Sequence, residues 1–406
     1  MESILVGLNK ITNQVVMNTG SYVFAQLVAC IPRRQFDQCV ERYGGDYKIR
    51  ELPCREQFLA LMFGQLTHLE SLRDIITCLT AQRKKIYHLG FKHPVARSTL
   101  ARANKKRNWR IYRDFAYYLI AIARRLYVND RVCLEEIDTR IYALDASVVD
   151  LCLSWFGWAT FRRHKAGIKL HVVLDLENGV PAVFYVTKAS IHEVNIMDKI
   201  AWEEDALYIM DRGYTDFERL YKIDTARSYF VIRAKHNLSF RRTYSRPVDI
   251  SSGLRCDQTI RLSGPKSSHL YPKRLRRIKY YDAETDRYYV FLTNNFQLPA
   301  LQIAQLYKYR WQIELFFKWI KQHVKVQVFW GRSENAVKTQ VCVAICAYVL
   351  IAILKKRLGI GCDMHEMLQI LRVSMFDKIG LLELFSGDDC HDVTTSHLKQ
   401  GVFIGF

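Results

Sequence analysis

The hydrophobic period of the sequence changes near residue 140, and this change limits the folds open to the chain. Over residues 22–127, apolar residues recur at spacings of three and four, as at Phe58, Leu61, Met62 and Leu66. That period is typical of amphipathic helices. Beyond residue 140 the pattern alternates as in strands and then mixes strands with helices. We therefore expect an α/β protein preceded by an all-helical N-terminal domain.

Three segments after residue 140 have the composition of neighbouring strands. RIYALDAS, GIKLHVVLDL and PAVFYVTKA are rich in apolar, β-branched and aromatic residues, and the pair Asn178-Gly179 between the last two is typical of a hairpin turn. The apolar strand ALYIMD, a helix from about Phe217 and the strand SYFVIRA follow. Strands that alternate with helices in this way predict parallel pairing after an antiparallel start.

The charge balance indicates a polyanionic partner. Sixty Lys and Arg against forty Asp and Glu give a formal charge of +20, which suits nucleic acid or an anionic membrane. The longest apolar run, Val341 to Leu354, covers fourteen residues, too few to cross a bilayer, and it predicts a buried helix. MESILVGLNK has no pattern of a secretory signal. We expect no membrane partner and a cytoplasmic location, close to the bacterial nucleoid.

Two segments concentrate the positive charge. Six Lys and Arg occur between Arg102 and Arg113 without an acid, which favours a DNA-facing helix but also fits a solvated basic face. Thirteen Lys and Arg occur from Arg233 to Lys279 among turn residues and short β-rich pieces, which predicts a basic β-rich insertion. The helix residues that we interpret as DNA contacts are Arg102, Lys105, Lys106 and Arg107.

Two aspartates stand at apolar strands, where an isolated charge is costly. Asp145 closes IYALD and Asp211 closes ALYIMD. Carboxylates at the ends of core strands converge in the crevice where α/β proteins bind ligands. A single such aspartate is more often a helix cap or a loop anchor. His192 and Glu193, which follow the third strand, can approach the same place or simply begin a helix.

A long predicted helix from about Pro299 supplies a third carboxylate. Tyr307, Arg310, Glu314, Lys318 and Lys321 are separated by three, four, four and three residues, which places them on one helical face. Ion pairs on a solvated face would give the same spacing. Three carboxylates from two strands and a helix suit Mg²⁺, and two such ions support phosphoryl transfer on nucleic acid.

The same residues resemble a known family. The spacing of Tyr307, Arg310, Glu314 and Lys321 is similar to the YREK signature of the IS4 family of insertion-sequence transposases, and LDAS and IMDRGYTDF resemble its two aspartate motifs. The resemblance implies an RNase H-like core with Asp145, Asp211 and Glu314 as catalytic metal ligands for Mg²⁺ or Mn²⁺. It also implies that Tyr307, Arg310 and Lys321 contact DNA phosphates, with Arg212 and Lys318 as neighbours.

The implied activity is cutting at the ends of a mobile element and transfer into target DNA by a homodimer or larger multimer. A nuclease of the same fold without strand transfer and an inactive DNA-binding derivative stay open as alternatives. The expected domains are listed by residue range: a helical DNA-binding domain (1–130), the first part of the core (131–235), the insertion (236–290), the second part of the core with the Glu314 helix (291–360) and a helical C-terminal segment (361–406).

Overall fold

The computed structural model of the protein describes residues 20–128, 139–323 and 328–386. The chain divides into two compact units, one of residues 1–127 with 319–406 and one of residues 128–318. The first unit is helical in its described part, which confirms the helical N-terminal region. Its helices are α1 (Val23–Ala29), α2 (Arg33–Arg42), α3 (Cys54–Leu66), α4 (Leu72–Ala81), α5 (Arg97–Lys106), α6 (Arg110–Leu126), α11 (Glu334–Leu358), α12 (Met364–Ser374) and α13 (Leu381–Leu384).

Helix α11 forms the centre of the helical unit. It contains the apolar run predicted to be a buried helix, and nearly every residue from Ala336 to Leu354 is buried, which confirms that prediction. It packs against α3 and α6. By length and composition α11 could cross a membrane, but 94% of its most apolar 18-residue window is buried inside the structure. The buried core helix of a globular protein can have the same length and composition.

A polar network lies between α3 and the end of α5. Gln57 Nε2 donates to Asn104 Oδ1 over 2.7 Å, and Arg107 Nη1 donates to Gln57 Oε1 over 2.7 Å. Arg107 also donates to the Leu52 carbonyl. Arg107 is 8% exposed, and its guanidinium is hydrogen-bonded inside the protein. The expectation that Arg107 contacts DNA is therefore wrong. Arg102, Lys105 and Lys106 on the same helix are exposed, as a DNA-facing surface requires.

The second unit is built on one mixed sheet, which in the described residues has ten strands. The helices α7 (Phe217–Thr225) and α8 (Pro265–Leu270) lie between its strands, and α9 (Ala300–Lys308) and α10 (Trp311–His323) follow its last strand. The strands are β1 (Ile141–Leu151), β2 (Thr160–Arg162), β3 (Lys165–Asp175), β4 (Pro181–Lys188), β5 (Leu207–Met210), β6 (Tyr229–Arg233), β7 (Phe240–Arg246), β8 (Leu254–Leu262), β9 (Leu275–Asp282) and β10 (Arg287–Thr293).

The pairing of the strands follows the sequence prediction. β1, β3 and β4 are antiparallel neighbours, and Gly179 in the turn between β3 and β4 has a φ of +67°. β5 then pairs parallel to β1, and β6 pairs parallel to β5. The predicted antiparallel start with later parallel pairing is confirmed. Along the sheet the order of these five strands is β4, β3, β1, β5, β6.

The basic segment after β6 extends this sheet. β10 pairs antiparallel to β6, and β9, β8 and β7 continue outwards in that order. The segment is β-rich, and it shares a sheet with the five preceding strands because β10 supplies the connecting ladder. The predicted domain limits at residues 130, 235, 290 and 360 stay predictions.

The helix predicted from Pro299 is interrupted, which corrects the expectation of one continuous helix. α9 covers Ala300–Lys308 and α10 covers Trp311–His323. Between them the amide of Arg310 bonds to the carbonyl of Tyr307, three residues back, and the amide of Ile313 bonds to that of Arg310. Three-residue bonding tightens the backbone relative to an α-helix. Tyr307 and Glu314 therefore belong to different helices.

The network around Arg107 leads to a stability prediction. Arg107→Met keeps much of the side-chain volume but leaves the buried oxygens of Gln57 and Leu52 without their donor. We expect the free energy of unfolding to fall by about 2–3 kcal/mol. Arg102→Met, on the exposed face of the same helix, should change it by less than about 0.5 kcal/mol. Urea unfolding followed by circular dichroism measures both, and equal unfolding midpoints would contradict the structural role of Arg107.

Candidate active site

Asp145 and Asp211 lie side by side at the end of a parallel ladder. The last paired residues of β1 and β5 are Leu144 and Met210, so each aspartate is the next residue along its strand. Asp145 continues in β1, whereas Asp211 begins a loop with a short 3₁₀ helix over Arg212–Tyr214. Carboxyl ends of parallel strands are the usual place for a ligand site. The two carboxylates reach this place because the ladder keeps their strands in register.

Arg310 connects two of the three predicted carboxylates. Its Nη1 lies 3.2 Å from Asp145 Oδ2, and its Nη2 lies 2.5 Å from Glu314 Oε1. The Tyr307 hydroxyl lies 3.5 Å from Asp211 Oδ1, at the limit of a hydrogen bond. The tight turn between α9 and α10 directs Arg310 towards β1. One phenol and one guanidinium thus link the two helices to the two strands.

Burial raises the pKa of Asp145 to about 6. The Ala146 amide, which donates to Asp145 Oδ1 over 2.8 Å, and the charge of Arg310 oppose this rise, while the negative charges of Glu193 and Asp211 add to it. The carboxylate is 19% exposed. A buried acid among other acids is in an environment that favours a cation.

A cavity of about 420 Å³ opens beside Asp211. Tyr307 and Arg310 line it on one side, and Phe291 packs on the Tyr307 ring with a centroid distance of 4.7 Å. Burial raises the pKa of Tyr307 to about 12, so its hydroxyl keeps its proton at neutral pH. The proton makes Tyr307 a hydrogen-bond donor towards Asp211.

The other predicted residues are more exposed. The Glu314 side chain is 58% exposed, and Lys318 on the next turn of α10 is exposed as well. Arg212 is exposed in the loop after β5, and Lys321 is half-exposed near the end of α10. The structure therefore brings Asp145, Asp211, Tyr307, Arg310 and Glu314 together and leaves the remaining cations accessible to solvent.

Glu193 is a further carboxylate near this site. Its position in the sequence gives only a weak indication of this proximity. It begins a 3₁₀ helix, Glu193–Lys199, and its charge acts on both Asp145 and Tyr214. The helix-start interpretation of Glu193 is thus correct, and its proximity to the aspartates is correct too. No local pattern distinguishes this glutamate from an ordinary helix start, since its neighbours come from distant parts of the chain.

The donors of the site suit a hard divalent cation. No group of three His, Cys, Asp or Glu in the described ranges is already arranged around a metal position, and Arg310 lies between Asp145 and Glu314 instead. The donors are nevertheless carboxylate oxygens, which Mg²⁺ and Mn²⁺ prefer. The guanidinium of Arg310 already places a positive charge between the carboxylates of Asp145 and Glu314, so the residues present fit such an ion.

The raised pKa of Asp145 predicts a stability effect in metal-free protein. The pKa of Asp145 in the folded protein, about 6, exceeds the ordinary value of 3.8, so ionising Asp145 destabilises the fold. This destabilisation is complete above the folded pKa and becomes smaller as the pH falls. At pH 7.5 in EDTA, Asp145→Asn should raise the free energy of unfolding by about 1–3 kcal/mol. The gain should shrink as the pH approaches 4.

Asp150→Asn is the matched control, since Asp150 is an exposed aspartate on the same strand. Denaturant unfolding at several pH values measures both variants. An Asp145→Asn protein that is less stable than the unsubstituted protein at pH 7.5 would contradict the electrostatic account.

Comparison with protein families agrees with this geometry. Residues 136–350 match the family described as Transposase DDE domain, a range that includes all three predicted catalytic carboxylates. Residues 19–92 match a domain of unknown function, DUF4372. The helical region that precedes the sheet thus has a family of its own.

Three relatives carry transposase names. A Sinorhizobium fredii protein named transposase y4zB is 38% identical over 201 residues, which are 48% of this chain and 56% of that protein. A Geobacillus stearothermophilus transposase of insertion sequence element IS5377 is 33% identical over 210 residues, 51% of this chain and 55% of that protein. A Synechocystis relative, named for the element IS4SA, is 22% identical over 293 residues, 70% of this chain and 78% of that protein.

The chain spans about half the length of the first two of these relatives. The matched range of the Transposase DDE domain covers more than half of this chain, and it contains β1, β5 and the helices that meet at Arg310. The family that the IS4-like motifs indicated is thereby confirmed. The chain belongs to the Transposase DDE domain family.

Proposed function

We propose that this protein is a DNA transposase that cuts the ends of an insertion-sequence element and joins them to target DNA by divalent-metal-dependent phosphoryl transfer. The observation that carries the proposal is the convergence of Asp145, Asp211 and Glu314 on Tyr307 and Arg310. Those five side chains come from two strands, two helices and the turn between the helices. In the proposed function, DNA is the partner, and a homodimer or larger multimer holds two element ends.

The strand order supports an RNase H-like core for this activity. Three antiparallel strands followed by two parallel strands, in the order β4, β3, β1, β5, β6, place the first and second aspartates on adjacent strands. The basic strands after β6 interrupt that core before Glu314 is reached. This arrangement corresponds to the fold that the IS4 resemblance implies.

Asp145, Asp211 and Glu314 would hold Mg²⁺ or Mn²⁺, and two such ions, when bound, stabilise the attacking and leaving oxygens of a phosphoryl transfer. Arg310 presents a planar fork that binds phosphate as well as carboxylate. Its contacts with Asp145 and Glu314 keep that fork at the reacting centre. Tyr307 orients Asp211 through its hydroxyl, and exposed Lys318 and Arg212 lie where flanking phosphates of the DNA can reach them.

The helical unit offers a separate basic surface. Arg102 and Lys106 on α5, together with Lys48 and Arg50, line a groove of about 370 Å³. Lys105 is exposed beside them. Cations clustered on one exposed helix bind DNA phosphates without reading sequence. We assign non-specific DNA binding to this groove.

The catalytic assignment predicts that Asp211→Asn abolishes Mg²⁺-dependent cleavage of DNA that carries the terminal repeats. The amide keeps the size of the side chain but removes its charge, so the rate should fall by at least about 10³-fold. DNA binding by gel shift should persist. Asp150→Asn should cleave at the rate of the unsubstituted protein. Retained cleavage by Asp211→Asn would refute the assignment.

A DNA substrate that is already cut distinguishes the transposase from the nuclease alternative. With precut ends carrying a free 3′-hydroxyl, a transposase joins the ends to target DNA, whereas a nuclease only hydrolyses. Joined products on sequencing gels support the transposase, and cleavage without any joining favours the nuclease.

The groove on the helical unit predicts a salt effect. The logarithm of the DNA affinity falls linearly with the logarithm of the salt concentration. Removing two phosphate contacts should make the slope of this line less negative by about 2. We expect this of Arg102→Ala with Lys106→Ala, since both residues line the groove. The control is Arg83→Ala with Lys84→Ala, which removes the same charge from two other exposed positions of that unit. Equal slopes for the two double variants would show that net charge alone, and not this groove, binds DNA.

A further inference from the structure

Glu193 is anchored by a buried lysine. Lys169 lies in β3 and is 7% exposed, and its Nζ lies 3.1 Å from Glu193 Oε1. The same ammonium donates to the Ile191 carbonyl over 3.1 Å. Lys169 therefore holds both the side chain of Glu193 and the backbone two residues before it, so the position of this carboxylate is determined by the central sheet.

The second oxygen of Glu193 lies towards the loop that carries Asp211. A methyl group added at Gly213 would lie 3.7 Å from Glu193 Oε2. Gly213 is two residues beyond Asp211 in the same short 3₁₀ segment. One oxygen of Glu193 thus binds Lys169, while the other lies on the side of Gly213, in the loop that follows the second aspartate.

Tyr214 supplies an independent sign of a missing partner. Its side chain is 1% exposed, and its hydroxyl has no hydrogen-bond partner within the described part of the chain. Burial raises the pKa of Tyr214, and the negative charges of Asp145, Glu193 and Asp211 add to this rise. A buried hydroxyl without a partner is costly. A water that hydrates a bound cation would supply the missing hydrogen-bond partner.

We propose that Glu193 is a fourth carboxylate of the divalent-cation site and that Lys169 balances its charge while no cation is bound. The inference rests on the proposed function, because it concerns the same Mg²⁺ or Mn²⁺ ions. Together with Asp145, Asp211 and Glu314, Glu193 provides four negative charges, which equal the charge of two divalent cations. Tyr214 donates to a ligand of this site.

A purely structural salt bridge is the alternative explanation of the contact between Lys169 and Glu193. The two explanations differ in what each partner does to cation binding. If Glu193 only pairs with Lys169, removal of either residue has the same effect. If Glu193 binds the cation, removal of Lys169 leaves the carboxylate available and takes away a competing positive charge.

The experiment measures Mn²⁺ affinity of the full chain at pH 7.5 by the electron paramagnetic resonance signal of free Mn²⁺. Glu193→Gln should weaken binding by about 10–100-fold. Lys169→Met should keep or raise the affinity. The control Asp198→Asn replaces another acid of the same 3₁₀ helix, one that pairs at 2.6 Å with Arg219, and should bind Mn²⁺ as the unsubstituted chain does. Circular dichroism verifies that each variant is folded.

An unchanged Mn²⁺ affinity of Glu193→Gln would overturn the proposal, and so would equal losses in Glu193→Gln and Lys169→Met. An unsubstituted chain that does not bind Mn²⁺ would overturn the cation site itself. A chain that binds Mn²⁺ but leaves terminal-repeat DNA intact and unjoined would contradict the proposed function while the comparison of Glu193→Gln with Lys169→Met still decides the role of Glu193. The failures of the two proposals are therefore distinguishable.

Discussion

The contact of Arg310 with both Asp145 and Glu314 is the interaction around which the site is organised. A guanidinium that is 20% exposed requires anionic partners, and these two carboxylates supply them at 3.2 and 2.5 Å. To reach β1, Arg310 leaves the helical path, and the backbone tightens between α9 and α10. The break therefore lies at the residue that makes both ion pairs. A continuous helix would keep Tyr307, Arg310 and Glu314 in one stripe without this turn.

The sheet imposes the second constraint, because it brings together residues that are far apart in sequence. The parallel pairing of Leu144 with Met210 sets Asp145 and Asp211 beside each other. The chain reaches the third carboxylate, Glu314, after the basic strands. β10 pairs with β6, and α9 begins at Ala300, a few residues after β10 ends. The insertion thus has a structural role. Its last strand connects to the core sheet and leads into α9, whose Tyr307 lies 3.5 Å from Asp211.

The sequence predicts those parts of the site that local patterns encode. Asp145 and Asp211 stand out because an acid at an apolar strand is unusual, and the spacing of Tyr307, Arg310 and Glu314 identifies the family. Two features escape this reasoning because they depend on contacts between distant segments. These are the break in the helix at Arg310 and the burial of Arg107 under Gln57 and Leu52, whereas the approach of Glu193 to the aspartates is one of two interpretations that its sequence position allows. Periodicity describes an element alone, whereas each of these features is determined by what packs against it.

The positive charges of the chain act over two different ranges. The exposed cations of α5 contribute to a net charge of +20, whose attraction for a polyanion acts at long range and is screened by salt. Lys169 is buried and the Arg310 side chain is 20% exposed, and each of them contacts a carboxylate of the site directly. While these internal cations are in contact with the acids, the acids repel one another less and the fold tolerates their proximity. In the proposed function, a divalent ion would compete with those contacts, and the guanidinium of Arg310 would then be available to a DNA phosphate. The interaction that stabilises the metal-free site would thereby couple cation binding to DNA binding.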